Sequence, residues 1–354
     1  MANVVLKAQD LDGYLNSDDK RTIEEMDARY RSAQQCFNAL EDSGRAEGRE
    51  RAVTGLIELY NEFGRVMKQI IAREPKVNVY SFGTPKQVHG EVSRLIAKVR
   101  DVRTERPEFL YYTQRAYELL FNFAFCGEVN ERKNYMVVKT PVNIPTQNFA
   151  VHKIPDVDEK IENSVMCVML RGALLPSMIM SKEIQEYSSH GYVTPFALFK
   201  ISRDDKKQER DMEYLLNLEL SYFDLSVLDG KDLFFADPMN ATGGSFVTVV
   251  KYLLSQGVRP RSIKFFNVIS ALKGALRIVR ALDNVEIFTL WMDPVLNAKA
   301  YILPGLGDAG DRINGEDSSD KPRNIIQLVA DYGSHVVGLY RDQVRTIEQT
   351  VLGG

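Results

Sequence analysis

The 354-residue chain is predicted to be an α/β protein: a mostly parallel sheet flanked by helices, with an N-terminal helical extension and a C-terminal extension. Three observations predict this. From Ser164 onward, apolar runs of strand length alternate with stretches of helical periodicity, the pattern of a parallel sheet covered by helices. Before residue 75 the apolar residues recur at helical spacing. Near residue 315 the alternation stops and a tail follows.

In chain order, the first segment holds two helices. Ile23, Met26, Tyr30, Phe37 and Leu40 share one face, and Leu56, Tyr60, Phe63, Met67, Ile70 and Ile71 make a second set. The break at Asp42-Ser43-Gly44 folds them into a hairpin. Such stripes pack against a protein body or a second subunit rather than bind ligands. Residues from Tyr80 to Gly127 also read as helical, with Leu95, Ile96 and Val99 before the turn Arg100–Thr104 and Tyr117, Leu120 and Phe121 after it. The predicted strands are Ser164–Leu170, Val193–Ser202, Asp232–Met239, Ile263–Ser270 and Val285–Asp293; the helices between them are Leu174–Ser189, Ser245–Gln256 and Ala271–Leu282. Tyr214–Leu220 is expected as an edge strand, preceded by the charged segment Arg203–Asp211, read as a mobile loop. Leu296–Gly315 is rich in Gly, Pro, Asp and Asn and is expected to be a loop structure beyond the strand ends, where α/β folds form ligand sites. Asn324–Asp331 and Val336–Leu352 read as a strand and a helix. The chain thus divides at 1–75, 76–315 and 316–354, with no internal repeat.

Composition narrows the function classes. Apolar residues make up 44% and charged residues 26%, which is the balance of a globular protein rather than a disordered or membrane-spanning one. The net charge is -3 with signs interspersed, so no basic field invites nucleic acid or a membrane surface, and any anion site must be local. Cys36, Cys126 and Cys167 are odd in number and far apart, which argues against a disulfide framework or a CxxC metal site. The run Met1–Asp10 is too short for a signal peptide, so a reducing cytoplasm is the expected location. His89, His152, His190 and His335 lack metal-ligand spacing, and no GxSxG elbow exists for a serine nucleophile. Trp291 falls in a predicted strand and reads as core.

The segment that carries chemistry is Asp232–Ser245: a buried strand ending in an acidic residue, then a Thr-Gly-Gly-Ser turn opening a helix. Gly243 and Gly244 allow the backbone to approach an anion, Thr242 and Ser245 add hydroxyls, and the helix N-terminus supplies unpaired N–H groups. Asp237 can accept hydrogen bonds from vicinal sugar hydroxyls one short loop away. A helix-capping Ser245 alone would be unremarkable; the acidic strand end and the full spacing make the combination specific. No GxxxxGK[ST] or GxGxxG string is present, which removes the usual handles for ATP-dependent kinases and dinucleotide enzymes.

Asp237-Pro-Met-Asn-Ala-Thr-Gly-Gly-Ser245 resembles the phosphoribosyl pyrophosphate (PRPP) motif of uracil phosphoribosyltransferases, written DPMLATGGS, with Asn240 in place of leucine. Tyr301-Ile-Leu-Pro-Gly-Leu-Gly-Asp-Ala-Gly-Asp-Arg312 resembles the uracil-binding loop of the same family. Arg100–Thr104, Met169–Ala173 and Ser202-Arg203-Asp204 are similar to its LRDxxT, ILRAG and YRD elements, in the required order. The resemblance spans Val79 to Gly315 and implies a type I phosphoribosyltransferase core with a uracil-binding loop at 296–315.

What the resemblance implies can be stated residue by residue. Asp237, Pro238, Met239, Asn240, Ala241, Thr242, Gly243, Gly244 and Ser245 would bind ribose and 5′-phosphate, and Arg171 and Arg203 the pyrophosphate, for which the guanidinium fork is suited. Ile302, Gly307, Asp308 and Ala309 would hold uracil, largely through backbone groups. Asp308 would also stand near the pyrophosphate and its metal, and with Arg171 is the expected catalytic pair; as a turn aspartate it would cap local backbone, like Asp311. Mg²⁺ is implied as the cofactor, carried by pyrophosphate rather than by a protein cage. Uracil and PRPP are the implied partners, joined by a GTP-type effector and a homo-oligomer, dimer or tetramer.

Four departures are visible. Arg171-Gly-Ala173 inverts the family's Ala-Gly order, Asn240 puts a polar side chain in the phosphate loop, Tyr214-Leu-Leu-Asn-Leu218 lacks the lysine of the family's Tyr-x-Lys-Leu-Pro, and Arg312-Ile-Asn-Gly315 lacks an aromatic. Transfer to another base, and a catalytically weak ligand-sensing homologue, therefore stand beside uracil salvage as alternatives.

Overall fold

The structure, a computed structural model, describes residues 3–41, 46–83, 86–126, 133–143, 146–204, 206–315, 325–329 and 341–353. The elements run β1 (Asn3–Lys7), α1 (Ala8–Tyr14), α2 (Ser17–Glu41), α3 (Ala46–Ile71), β2 (Val77–Val79), α4 (Tyr80–Gly83), α5 (Lys86–Arg100), α6 (Arg106–Phe121), β3 (Lys133–Lys139), β4 (Phe149–Pro155), α7 (Asp158–Ile161), β5 (Ser164–Leu170), α8 (Leu174–Tyr187), β6 (Phe196–Arg203), β7 (Glu213–Tyr222), α9 (Leu225–Leu228), β8 (Asp232–Ala236), β9 (Met239–Asn240), α10 (Gly244–Ser255), β10 (Ser262–Ala271), α11 (Leu272–Ala281), β11 (Val285–Asp293), β12 (Val295–Leu296), β13 (Ile302–Leu303) and α12 (Ala309–Asn314), with a last helix at Arg341–Leu352.

The main sheet has the order β1-β7-β6-β5-β8-β10-β11-β2, with β9 beside β10. From β6 to β2 the pairs are parallel, while β7 is antiparallel to both β6 and β1. Every residue of β5 and β8 is buried, as expected of central parallel strands covered on both faces, which read as unbroken apolar runs. Both sheet edges come from the first eighty residues: β1 covers β7, and β2 covers β11.

The helical hairpin is present as α2 and α3, which pack on each other through Tyr30 and Phe63, their ring centroids 5.9 Å apart. It is tied to α11 by Arg280, whose Nε donates to Asp19 at 2.9 Å and whose Nη1 donates to Glu74 at 2.9 Å. The turn at Asp42-Ser43-Gly44 lies outside the described residues.

Several predicted boundaries change for local reasons. The strand expected at Val193–Ser202 starts at Phe196, because Pro195 has no N–H to give the ladder, although its carbonyl accepts from Met166 at 2.8 Å. The single strand Asp232–Met239 is interrupted at Asp237-Pro238 into β8 and β9 for the same reason. The expected edge strand at Tyr214–Leu220 is longer, Glu213–Tyr222, and is not an edge, since β1 lies outside it. The stretch read as a strand at Asn324–Asp331 is helical over 325–329, where Ile325, Leu328 and Val329 fall at helical spacing and pack inward. The first five residues of the helix expected at Val336–Leu352 lie outside the described residues; Arg341–Leu352 is helical. The hairpin β3–β4 and the two edge strands have no counterpart in the sequence reading. Among the described residues no helix is long and apolar enough to cross a membrane.

Candidate active site

The carboxyl ends of β5, β6 and β8 and the N-terminus of α10 surround a cavity of about 440 Å³, within the range of small-molecule sites. Arg171, Arg203, all nine residues from Asp237 to Ser245, Asp308 and Ala309 line it. Ile302 and Gly307 lie off its lining: Ile302 is buried in the short β12–β13 pair, and Gly307 stands at φ +80 in the following turn. The loop at Leu296–Gly315 thus contributes Asp308–Gly310 to the cavity and uses its earlier residues to build itself.

The phosphate turn is defined by close approach. Gly243 has φ +75, and a Cβ there would lie 2.8 Å from Cγ1 of Ile278 and 3.0 Å from the carbonyl oxygen of Gly274, both on α11. A Cβ on Gly244 would fall 2.1 Å from the ring of Tyr214. Only glycine fits both positions. Behind the turn Phe246 and Phe265 stack, centroids 4.3 Å apart and planes 3° from parallel, fixing α10 to β10. This contact adds roughly 0.5–1.5 kcal/mol beyond the area it buries.

The hydroxyl of Thr242 is buried and accepts from the Tyr214 phenol at 2.6 Å and from the backbone N–H of Gly244 at 3.3 Å. With its oxygen accepting twice, its own proton is left to be donated to an anion in the turn. Burial pushes the Tyr214 phenol above its usual value, so it stays a donor. Tyr214 went unassigned in the sequence reading, because nothing in the string places a strand residue over a turn thirty residues away.

Asp237 is half-buried, and its Oδ1 accepts from the N–H of Met239 at 3.1 Å. Its carboxyl is pushed up to about 7, chiefly by desolvation and further by the charge of Asp308, against the pull of the Met239 N–H and Arg203. Asp308 caps α12 by accepting from the N–H of Asp311 at 3.0 Å while also lining the cavity. The Nδ2 of Asn240 donates to Ser270 Oγ at 2.9 Å, while its buried Oδ1 has no partner among the described residues and the residue itself lines the cavity. Arg171 follows a cis peptide; its Nη2 donates to Asp311 at 2.7 Å and its Nη1 to the carbonyl of Gly315 at 2.9 Å. Arg203 lies over the Tyr301 ring, 5.3 Å from its centroid. Asp311 is therefore not an idle turn residue.

The two carboxylates Asp237 and Asp308 on one cavity, the charge of Asp308 raising the cost of ionising Asp237, form a hard-oxygen set suited to a divalent cation brought in by an anion. Among the described residues, Asp158, Glu162 and His190 bring metal-ligating atoms together elsewhere; none of them lines this cavity.

The profile of the uracil phosphoribosyltransferase family matches residues 87–315. A uracil phosphoribosyltransferase from Saccharomyces cerevisiae is 30% identical over 243 residues, 68% of this chain and 98% of its own. One from Campylobacter jejuni is 33% identical over 183 residues, 51% of this chain and 76% of its own. Among solved structures, the AQ2163 protein from Aquifex aeolicus superposes with a TM-score of 0.46 at 22% identity, covering 64% of this chain and 95% of that one. With the profile covering well over half of its length, the chain belongs to the uracil phosphoribosyltransferase family.

Proposed function

We propose that the protein joins uracil to PRPP, giving UMP and pyrophosphate. The observation that carries this is the convergence, on one cavity, of the phosphate turn Asp237–Ser245 and the Asp308–Ala309 corner of the base loop. In this reading the 5′-phosphate sits on the N–H groups of the turn and the hydroxyls of Thr242 and Ser245, and the Asp237 carboxylate accepts from the ribose hydroxyls. Arg171 and Arg203 take the pyrophosphate. Arg171 exchanges its Asp311 contact for phosphate oxygens as the donor enters, which keeps the guanidinium paired throughout.

Uracil N1 attacks the anomeric carbon as the bond from that carbon to the pyrophosphate oxygen breaks. The electron pair leaves with pyrophosphate, and the N1 proton is lost to solvent or to a cavity carboxylate. No side chain becomes a nucleophile; the rate gain comes from holding the two reactants in line and from cations facing the leaving group. Mg²⁺ bound to pyrophosphate would supply charge neutralisation, with Asp237 and Asp308 as the carboxylates in reach. The backbone of Ile302, Gly307 and Ala309 is the proposed reader of the base edge, rejecting cytosine by leaving buried polar groups unpaired. A homo-oligomer, a cytoplasmic location and a GTP-type effector go with this reading.

A second reading, a ligand-sensing homologue with little turnover, is favoured by the engagement of Arg171 with Asp311 and Gly315. One assay separates the two: the protein, PRPP and Mg²⁺ with uracil, cytosine or a purine base, followed for nucleotide and pyrophosphate. UMP formed from uracil alone is the expected result. Donor binding without any nucleotide supports the sensor, and a different nucleotide reassigns the base.

A further inference from the structure

We propose that the N-terminal segment β1–α1, which precedes the family match, is a positioning strap for the donor site, acting through Tyr214 and Glu209. The inference rests on the donor reading of the cavity given above. Its first limb is strand pairing. β1 lies along β7 with Leu6 opposite Tyr214, and the N–H of Ala8 donates to the carbonyl of Met212 at 2.9 Å. Tyr214 is the residue that both caps Gly244 and donates to Thr242, so β1 fixes the strand from which the phosphate turn is held.

The second limb is ionic. Arg277 of α11 has no exposed surface, and it is paired with carboxylates from two distant segments. Its Nε and Nη2 donate to Asp12 of α1 at 2.9 and 2.6 Å, and its Nη1 forms an ion pair with Glu209 at 2.8 Å. Lys273 donates to Glu209 at 2.9 Å from the same helix. A fully buried guanidinium is tolerated only with its charge matched, so Asp12 and Glu209 are held to one point. Glu209 sits in the loop that follows Arg203, and its N–H donates to Ala298 of the base loop at 2.8 Å. The loop expected to be mobile is thus pinned, at this residue, to α1, to α11 and to the base loop. Because α11 also backs the phosphate turn at Gly243, a shift of Arg277 is transmitted to the turn.

The test uses the full chain with Asp12→Ala, Glu209→Gln and the double variant. Asp12→Ala is expected to lower kcat/KM for PRPP about tenfold, with the KM for uracil at saturating PRPP unchanged within about twofold, a typical size for coupling between separate sites. The double variant should lose little beyond the worse single one, because both act on Arg277. Unchanged kinetics for both substrates, an equal loss toward uracil and PRPP alongside a lower Tm, or strictly additive losses would overturn the strap. Should Asp12→Ala fail to fold, Asp12→Asn, which keeps the shape and removes the charge, is read by the same criteria. If the wild-type protein makes no UMP, the functional reading fails separately, and calorimetry of Mg²⁺–PRPP binding to the same variants decides the strap, with about tenfold weaker binding expected.

Discussion

The two halves of the cavity are built differently. The phosphate half, Asp237–Ser245, is shaped by backbone: glycines packed against Ile278 and Tyr214, a helix N-terminus, and a buried threonine. The base half, Leu296–Gly315, is held by side chains reaching main-chain groups. Asp293 accepts from the N–H of Gly305 at 3.0 Å and is paired with Arg100 at 2.6 Å. Arg312 lies 4.1 Å from the centroid of Phe109 and donates to the carbonyls of Leu306, Asp101 and Thr104 at 3.0, 3.2 and 3.2 Å. A backbone-built half tolerates no added atom. A half built from side chains can lose one contact and keep the others.

The sharpest way to break this contrast is Gly244→Ala. The added carbon has nowhere to go but into the Tyr214 ring, and overpacking by about 3 kcal/mol corresponds to a loss of about 100-fold in kcat/KM for PRPP. Steady-state kinetics at near-wild-type level would show that the turn can give way. Next in size is Asp237→Asn, expected to cost about 30-fold, since removing a charged hydrogen-bond partner is worth about 2 kcal/mol.

Asp237 also predicts a pH effect with a definite sign. Its carboxyl, pushed up to about 7 from 3.8, is ionised only in part at neutral pH before the donor binds. The KM for PRPP should therefore rise as pH falls from 8 to 6, and Asp237→Asn should flatten that profile. The same shift means that the stability contributed by this half-buried neutral acid is present below about 4 and is lost as pH rises through about 7. Asp237→Asn should then melt higher than wild type at pH 8 and show no such advantage at pH 4; melting curves at the two pH values check it.

The smallest effect is expected from Asp311→Asn. From the sequence it is an indifferent turn residue, yet it pairs with Arg171 with 43% of its side chain exposed. A loss of about threefold in PRPP KM, of the order of a surface ion pair, is expected, measured beside Asp237→Asn. A loss as large as that of Asp237→Asn would mean that the Arg171–Asp311 pair organises the pyrophosphate side.

What the sequence disclosed follows the same division. The parallel core was legible because a fully buried strand such as Ser164–Leu170 reads as a nearly continuous apolar run. The phosphate turn was legible because its chemistry depends on consecutive residues. The base loop was legible only through resemblance, since its shape depends on Asp293 and Arg100, far away in the chain. The edge strands were hidden for a related reason: Asn3–Lys7 and Val77–Val79 are too short to show periodicity, and their conformation is set by the strands they join. Nor can the string show the Ser270 hydroxyl that takes up the Asn240 amide.

The location of β1 at the outer edge of β7 has a consequence for synthesis. Residues 3–7 emerge before their pairing partners at 213–217, which come some two hundred residues later. At about 5–20 residues per second, the ribosome leaves this strand without its mate for about 10–40 s. During that interval the nascent chain can fold its α2–α3 hairpin, whose contacts are local, but it cannot complete the sheet. Its first strand is therefore among the last to be placed, and until β7 is made β1 itself is an unpaired strand open to foreign partners.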